Sequence, residues 1–513
     1  MDQLILSFLI FWPLVAGLGI ALWPVRDVRA SWIAALVASG IEAVFALTLL
    51  SSFQTGLGGA QFEVNALLLK TAGVHFHLGV DGLSLVLVLL IALLTPVALF
   101  ASRDVSHHQR FHHASMLALA GSMAGAVLAL DTLLFYVFFE LMLVPAFFLV
   151  GRWGGEKRLE ATTRFVIYTL VGSLPLLVAL LGVGAHHLNV TGQWSFDLPD
   201  LMATPLAGNA MWLGFWAFVF AFAIKAGLFP FHGWAPDTYV EAPTPVTFLL
   251  SGVMGKIGVY GILRFALPLF PVAAQSSRSG LMALALVGTI YAAWLALVQT
   301  DLKRLLAYSS ISHMALLLMG VFSLDSQAWS GAVFMFLAHA LATGGLFLLV
   351  GMLAERRGTA IAQFGGIARQ VPWLTTVFLI IAMASVGLPG LNGFVAEFLI
   401  LMGAFASNGG LGVVATTGVI WGACYMLWMI ARTFFGSVPA PAKGAKPAPE
   451  LRDLALREAA ILVPMVLVII WTGFQPQPVL DRIDPSVQAI LSPIQKAVVP
   501  ASNEAAAHAS HGG

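Results

Sequence analysis

The chain has 513 residues, 59% of them hydrophobic and 10% charged, whereas soluble domains run about 45–50% apolar and about 25% charged, so an ordinary soluble protein is excluded. Lys and Arg total 25 against 24 for Asp and Glu, a net charge of +1, which leaves no basic surplus for nucleic acid and no acidic effector tail. The single cysteine, Cys424, cannot form an internal disulfide, a Cys-based zinc site or an iron–sulfur cluster within the chain.

A membrane helix needs about 20 mostly apolar residues to cross about 30 Å of hydrocarbon. Fourteen windows meet that length, giving an all-α membrane protein of about 14 transmembrane helices. In order the spans are Leu4–Leu22, Ser31–Ser51, Gly82–Ala101, Ala114–Leu130, Thr132–Val150, Phe165–Ala185, Ala210–Phe229 and Pro245–Leu267. They continue with Leu281–Gln299, Leu305–Phe322, Ala328–Leu353, Trp373–Leu388 resuming after a break to Ala406, Val413–Phe435 and Ala459–Phe474. Between spans 2 and 3, Val74, Phe76, Leu78 and Val80 alternate with His75 and His77, a period of two that predicts an external β-hairpin over Gln61–Val80. Residues 438–450, rich in Pro, Ala and Lys, read as an extended cytoplasmic linker, and the polar, proline-interrupted tail after Phe474 as ill-ordered.

No Lys or Arg precedes the first apolar run, which argues for a retained anchor over a cleaved signal peptide. With the N-terminus outside, odd-numbered loops carry eighteen Lys and Arg and even-numbered loops three, namely Lys70, Arg264 and Arg278. That imbalance places the odd loops in the cytoplasm and both termini on the periplasmic side.

Two spans are interrupted. Pro230 lacks an N–H and its ring clashes with the carbonyl of Ala226, so span 7 should break there; Pro389 and Gly390 interrupt span 12. A freed carbonyl in hydrocarbon is tolerated where it lines a wet or protein interior. Gly227 to Trp234 aligns with Gly387 to Phe394, with a one-residue shift at the proline. Five spans separate the breaks, the arrangement of two inverted five-helix repeats with one discontinuous helix each. The chain then divides into 1–113 (three spans and the hairpin), 114–267 (first repeat, spans 4–8), 281–435 (second repeat, spans 9–13), 436–458 (linker) and 459–513 (span 14 and tail).

Charges at bilayer depth cost about 2.5–3.5 kcal/mol each on insertion scales and therefore face protein and find partners. Glu140 lies within span 5, Lys225 at the span 7 break, Lys256 in span 8 and Glu397 beyond the span 12 break, with His313 and His339 in spans 10 and 11. These types suit proton handling, because burial favours the neutral forms of a Glu–Lys pair and proximity favours the charged ones. The alternative is a set of interhelical clamps and satisfied core histidines. His107, His108, His112 and His113 read as solvated loop residues rather than a metal-ligand set, and His508 and His511 as tail residues.

Three stretches carry a family resemblance: Leu134 to Pro145, Phe222 to Phe265 and Asp301 to Met314. The chain resembles the antiporter-like membrane subunits of respiratory complex I, themselves related to subunits of multisubunit Na+/H+ antiporters, from roughly Asp81 to Arg432. The resemblance implies a proton-translocating subunit of a bacterial inner-membrane NADH-quinone oxidoreductase. Glu140, Lys225, Lys256, His313, His339 and Glu397 match the family's row of proton-carrying groups. Glu397 stands where sister subunits carry lysine. The resemblance also implies no redox cofactor in this chain, with FMN, iron–sulfur clusters and quinone in partner subunits. The implied partners are the other membrane-arm subunits, sister antiporter-like subunits above all. The alternatives are a subunit of a Na+/H+ antiporter or of a hydrogenase-linked membrane complex.

Overall fold

A computed structural model of the chain describes residues 4–24, 28–103, 105, 107–437 and 451–497. The 438–450 linker, Arg26 and the tail from 498, with His508 and His511, lie outside the described residues.

Thirteen helices among the described residues are long and apolar enough to cross a membrane, and two shorter apolar helices, Pro372–Ser385 and Asn392–Ser407, follow one another where span 12 is expected. The order of the fourteen spans is therefore as read from the sequence, while several ends differ. Span 4 begins at Gln109 rather than Ala114 and span 6 extends over Arg158–Thr191, because polar residues continue these helices beyond their apolar windows. Spans 3, 5, 10, 11 and 13 start on the side chains of Asp81, Asp131, Asp301, Asp325 and Asn408, which accept from otherwise unpaired first-turn amides. Span 8 is buried along 100% of its apolar window and spans 10 and 11 along 94%, against 33% for spans 1, 2, 6 and 14. The interior of the molecule thus lies around spans 8, 10 and 11.

The two breaks share one backbone. In span 7 the helix Gly208–Ala226 ends on Gly227 at φ +71, and Leu228 N–H reaches back to the Ala223 carbonyl at 2.9 Å. In span 12 the helix Pro372–Ser385 is followed by Gly387 at φ +71, and Leu388 N–H reaches the Met383 carbonyl at 3.0 Å. Both are left-handed glycine terminations in which a late N–H satisfies a carbonyl of the last turn. The expected cause at span 7 is corrected here: the glycine ends the helix, and Pro230 lies beyond the end, starting the short turn that leads to the helix Trp234–Glu241. The Ile224 carbonyl is not left to water either, since Trp234 Nε1 donates to it at 2.8 Å.

Span 8 contains two π-turns, Leu250–Met254 and Ile262–Ala266, with Lys256 on the α-helical piece between them. Such wide turns release carbonyls from the helical ladder. The Ser251 carbonyl accepts from Lys256 Nζ at 2.9 Å.

The hairpin is present as β1 (Gln61–Leu69) and β2 (Val74–Val80), paired antiparallel. The expected polar face is only half right. His77 is buried, with Nδ1 at 2.6 Å from Asp197 and Nε2 at 3.7 Å from Glu63, because the loop between spans 6 and 7 folds over the strand. Burial opposes the imidazolium there, but the hydrogen bond and charge of Asp197, with Glu63, raise the His77 pKa above its usual value.

The tail departs from expectation. Residues Gln477–Lys496 form a helix that buries Ile483, Val487, Leu491 and Ile494, a helical period, against spans 3, 9 and 11 and the end of span 8. Ser486 Oγ accepts from Gly82 N–H at 2.8 Å, Ser330 Oγ donates to Asp484 at 2.6 Å, and Gln495 Nε2 donates to the Leu324 carbonyl at 3.0 Å. Two further corrections concern charged or polar groups. Arg264, counted as a loop cation, is buried and pairs with Asp81 at 2.5 Å. His112 and His113 are buried in the first turns of span 4, His112 edge-on to Trp153 and His113 Nδ1 at 3.4 Å from Ser31, while His107 and His108 are exposed. Among the described residues no three His, Cys, Asp or Glu are grouped to hold a metal ion.

Candidate proton relay

Spans 8, 10, 11 and 12 bring four of the six singled-out residues into one buried row. Lys256 Nζ lies 3.0 Å from His339 Nδ1. Since an ammonium can only donate, His339 accepts through Nδ1 and carries its own proton on Nε2. The His339 and His313 rings follow with centroids 5.8 Å apart, and His313 Nδ1 lies 3.3 Å from Glu397 Oε1. All four residues are buried. Around His313, the Ser385 hydroxyl stands 3.5 Å and the Tyr425 hydroxyl 3.3 Å from Nε2.

Two small cavities flank this row. One of about 10 Å³ touches His313, His339, Ser385 and Glu397, and another of about 10 Å³ touches His313, Ser312, Thr289, Glu397 and Tyr425. A space of about that size with polar walls admits a single water.

The other two residues, Glu140 and Lys225, are coupled more loosely. Lys225 is 2% exposed, and its Nζ lies over the rings of Phe139 (5.1 Å) and Phe165 (5.7 Å). Ring faces stabilise a cation without taking its proton. Glu140 is half-buried, shares a hydrogen bond with Ser173 and is within electrostatic reach of Lys225 without a direct ion pair to it. Spans 7 and 8 press together beside Lys225, where a Cβ on Gly258 would meet the Phe222 carbonyl at 2.7 Å and Lys225 Cβ at 3.1 Å. Pro230 and Pro389 stand in the loops of the two breaks, next to Lys225 and Glu397 in sequence rather than in the row.

Sequence reasoning missed four groups. Ser385 and Tyr425 are single hydroxyls in apolar runs, and Ser309 lies in the hydroxyl-rich stretch that leads to His313. Glu42 in span 2 is 1% exposed, with its Oε2 lacking any partner, and its place within an apolar window is the signal that marks it as a charge at bilayer depth.

A polytopic chain with two broken spans and a row of lysine, histidines and glutamate through its interior is built as a membrane ion-translocating subunit of the antiporter-like type. Residues 129–421, more than half of the chain, match the family described as NADH:quinone oxidoreductase/Mrp antiporter, TM. The chain is 38% identical over 498 residues to NADH-quinone oxidoreductase subunit M of Rhodobacter capsulatus, covering 94% of this chain and 96% of that one. To the subunit M of Escherichia coli K12 it is 39% identical over 416 residues, 80% of this chain and 81% of the other. A chain of respiratory complex I from Thermus thermophilus superposes with a TM-score of 0.85 at 34% identity, covering 96% of this chain and 100% of that chain. A chain of the Mrp complex from Dietzia sp. shares the fold at 21% identity and a TM-score of 0.83. This chain therefore belongs to the antiporter-like membrane-subunit family of NADH-quinone oxidoreductase, in its subunit M branch.

Proposed function

We infer that the chain is a proton-translocating subunit of an NADH-quinone oxidoreductase, and that Lys256, His339, His313 and Glu397 carry the proton. The observation that carries this reading is the buried row itself, in which each neighbour lies at hydrogen-bond or ring-contact distance. NADH oxidation and quinone reduction belong to partner subunits, which hold FMN, the iron–sulfur clusters and the quinone. This chain contributes groups whose proton affinity follows geometry.

Glu140 and Lys225 form the input pair. When the carboxylate approaches, Lys225 keeps its proton; when it or an intervening water withdraws, the lysine releases the proton toward Lys256. The pair titrates as a unit. From Lys256 the proton passes through His339 and His313, whose two ring nitrogens can each accept or donate a proton, to Glu397 as the exit group.

The two five-helix units, 114–267 and 281–435, are inverted repeats in this reading, supported by the common glycine termination of spans 7 and 12, which run in opposite directions. Both termini face the periplasm, supported by the excess of Lys and Arg in odd loops. The chain sits in the bacterial inner membrane beside the other membrane-arm subunits, including its sister antiporter-like subunits, and its largely lipid-facing or partner-facing outer spans suit that position.

The test is to tag the chain, extract it in mild detergent and assay the purified complex. NADH oxidation with a quinone acceptor supports the reading. A complex that lacks flavin and iron–sulfur centres and exchanges Na+ for H+ in vesicles contradicts it and favours the antiporter alternative.

A further inference from the structure

We propose that Tyr425 and Ser309 form a second proton-conducting branch, joining His313 to the basic end of spans 10 and 13; the proposal rests on the relay reading above. Tyr425 is fully buried in span 13. Its hydroxyl lies 2.7 Å from Ser309 Oγ and 3.3 Å from His313 Nε2, while Nδ1 of the same imidazole faces Glu397 at 3.3 Å. Those are hydrogen-bond separations at each side-chain step, the imidazole links being at the long end.

With His313 neutral and its proton on Nδ1, Nε2 accepts from the Tyr425 hydroxyl, and the tyrosine oxygen accepts from the Ser309 hydroxyl. The donor direction then runs Ser309, Tyr425, His313, Glu397 without interruption. A proton arriving on the Ser309 oxygen displaces that residue's own proton to Tyr425. The Tyr425 O–H bond breaks as the His313 Nε2–H bond forms, and an imidazolium results. Neither hydroxyl keeps a net charge, and the wire resets when both hydroxyls rotate and the His313 ring, left with its proton on Nε2 after the transfer to Glu397, returns to the Nδ1–H arrangement by ring rotation. The imidazolium then gives its Nδ1 proton to Glu397.

Two observations point the branch toward the basic end. Ser309 precedes His313 by one turn on the side of Leu302, Lys303 and Arg304. Span 13 closes on a π-turn, Ala431–Phe435, that carries Arg432 and the fully buried Thr433, whose hydroxyl has no protein partner. A buried hydroxyl without a protein partner takes its hydrogen bond from water. Tyr425 thus has His313 and the second cavity on one side and the unpaired Thr433 hydroxyl further along its own helix on the other.

The experiment measures NADH-driven proton pumping in vesicles containing the complete complex, with assembly checked by its native size. Tyr425→Phe keeps the ring and removes the hydroxyl. We expect it and Ser309→Ala each to lower pumping by about threefold or more, since a positioned proton donor is typically worth about 100-fold or more and a bypassing water recovers part of this. The double variant should fall no further than the more damaged single one, because both act on one wire. Ser309→Thr, which keeps a hydroxyl, should pump more than Ser309→Ala does. Unchanged pumping in assembled Tyr425→Phe, or additive losses in the double variant, would overturn the branch. Should Tyr425→Phe not assemble, Ser309→Ala decides alone, and unchanged pumping in it overturns the branch equally. His313→Ala separates the two readings: if it stops pumping while both branch variants pump normally, the branch alone fails, and if it pumps normally the relay fails.

Discussion

The two broken spans have the same backbone and different surroundings. Gly227 and Gly387 both end a helix at φ +71, with the same back-bonded leucine amide after them. A Cβ at Gly227 would meet only Ala235 at 3.8 Å, whereas at Gly387 it would meet Glu397 Oε2 at 2.5 Å. Lys225, beside the first break, lies among aromatic rings and acts on Glu140 across a distance. Glu397, beyond the second, is joined to His313 and through it to Lys256. One form of helix termination therefore lies beside two kinds of polar connection, one acting through space and one made of hydrogen-bond and ring contacts.

The largest effect should come from the loose half. Lys225→Ala or Glu140→Gln should abolish most NADH-driven pumping in an assembled complex, and normal pumping would remove both residues from the input role. Lys225→Arg sharpens the point. A guanidinium does not deprotonate in a protein, so pumping at neutral pH should fall to below about a tenth of normal, the scale of losing one acid–base group. Normal turnover of this variant would mean that the site never releases a proton.

Next in size is the contrast between the glycines. An alanine in left-handed backbone costs roughly 1–2 kcal/mol, so Gly227→Ala should lower thermal stability by about that much and leave pumping near normal. Gly387→Ala meets the same strain and also displaces the Glu397 carboxylate, so it should lose pumping as well. Equal pumping in the two would erase the proposed difference between the breaks. The smallest effect belongs to the hairpin. The pKa of His77 is raised on folding, so the protonated imidazole contributes stability that is complete below about pH 6.5, the free histidine value, and is lost as pH rises through the higher folded value. Thermal unfolding followed against pH should show that loss, and His77→Gln should flatten the profile; an unchanged profile would deny the Asp197 pair its role.

Much of this was legible in the sequence because a span is a length of apolar residues and nothing more. The count and order of the spans, the two breaks and the six ionisable residues followed from that rule and from glycine and proline. The cause of the span 7 break did not, since Pro230 is conspicuous in sequence while Gly227, three residues earlier, does the work of ending the helix. Connectivity was also invisible. Nothing in the spacing of Lys256, His339 and His313 says that they touch, because contact is set by how spans 8, 10 and 11 pack. A single hydroxyl such as Tyr425 leaves no pattern at all, and nothing in the serine-rich stretch before His313 says which serine Tyr425 meets. The helix Gln477–Lys496 was overlooked for a different reason: its low apolar content hid a period of Ile483, Val487, Leu491 and Ile494 that was there to be read. His112 and His113 lie inside span 4 because its helix begins in polar residues, before the apolar window that marks the span in sequence.

The most direct test of the central claim is to measure proton pumping against NADH oxidation in vesicles holding an assembled His313→Ala complex, where one side chain is removed from the middle of the row. The account predicts pumping reduced by about tenfold or more, as for loss of a positioned proton-transfer group, with the complex intact. Pumping at the unmodified rate in that complex would contradict it.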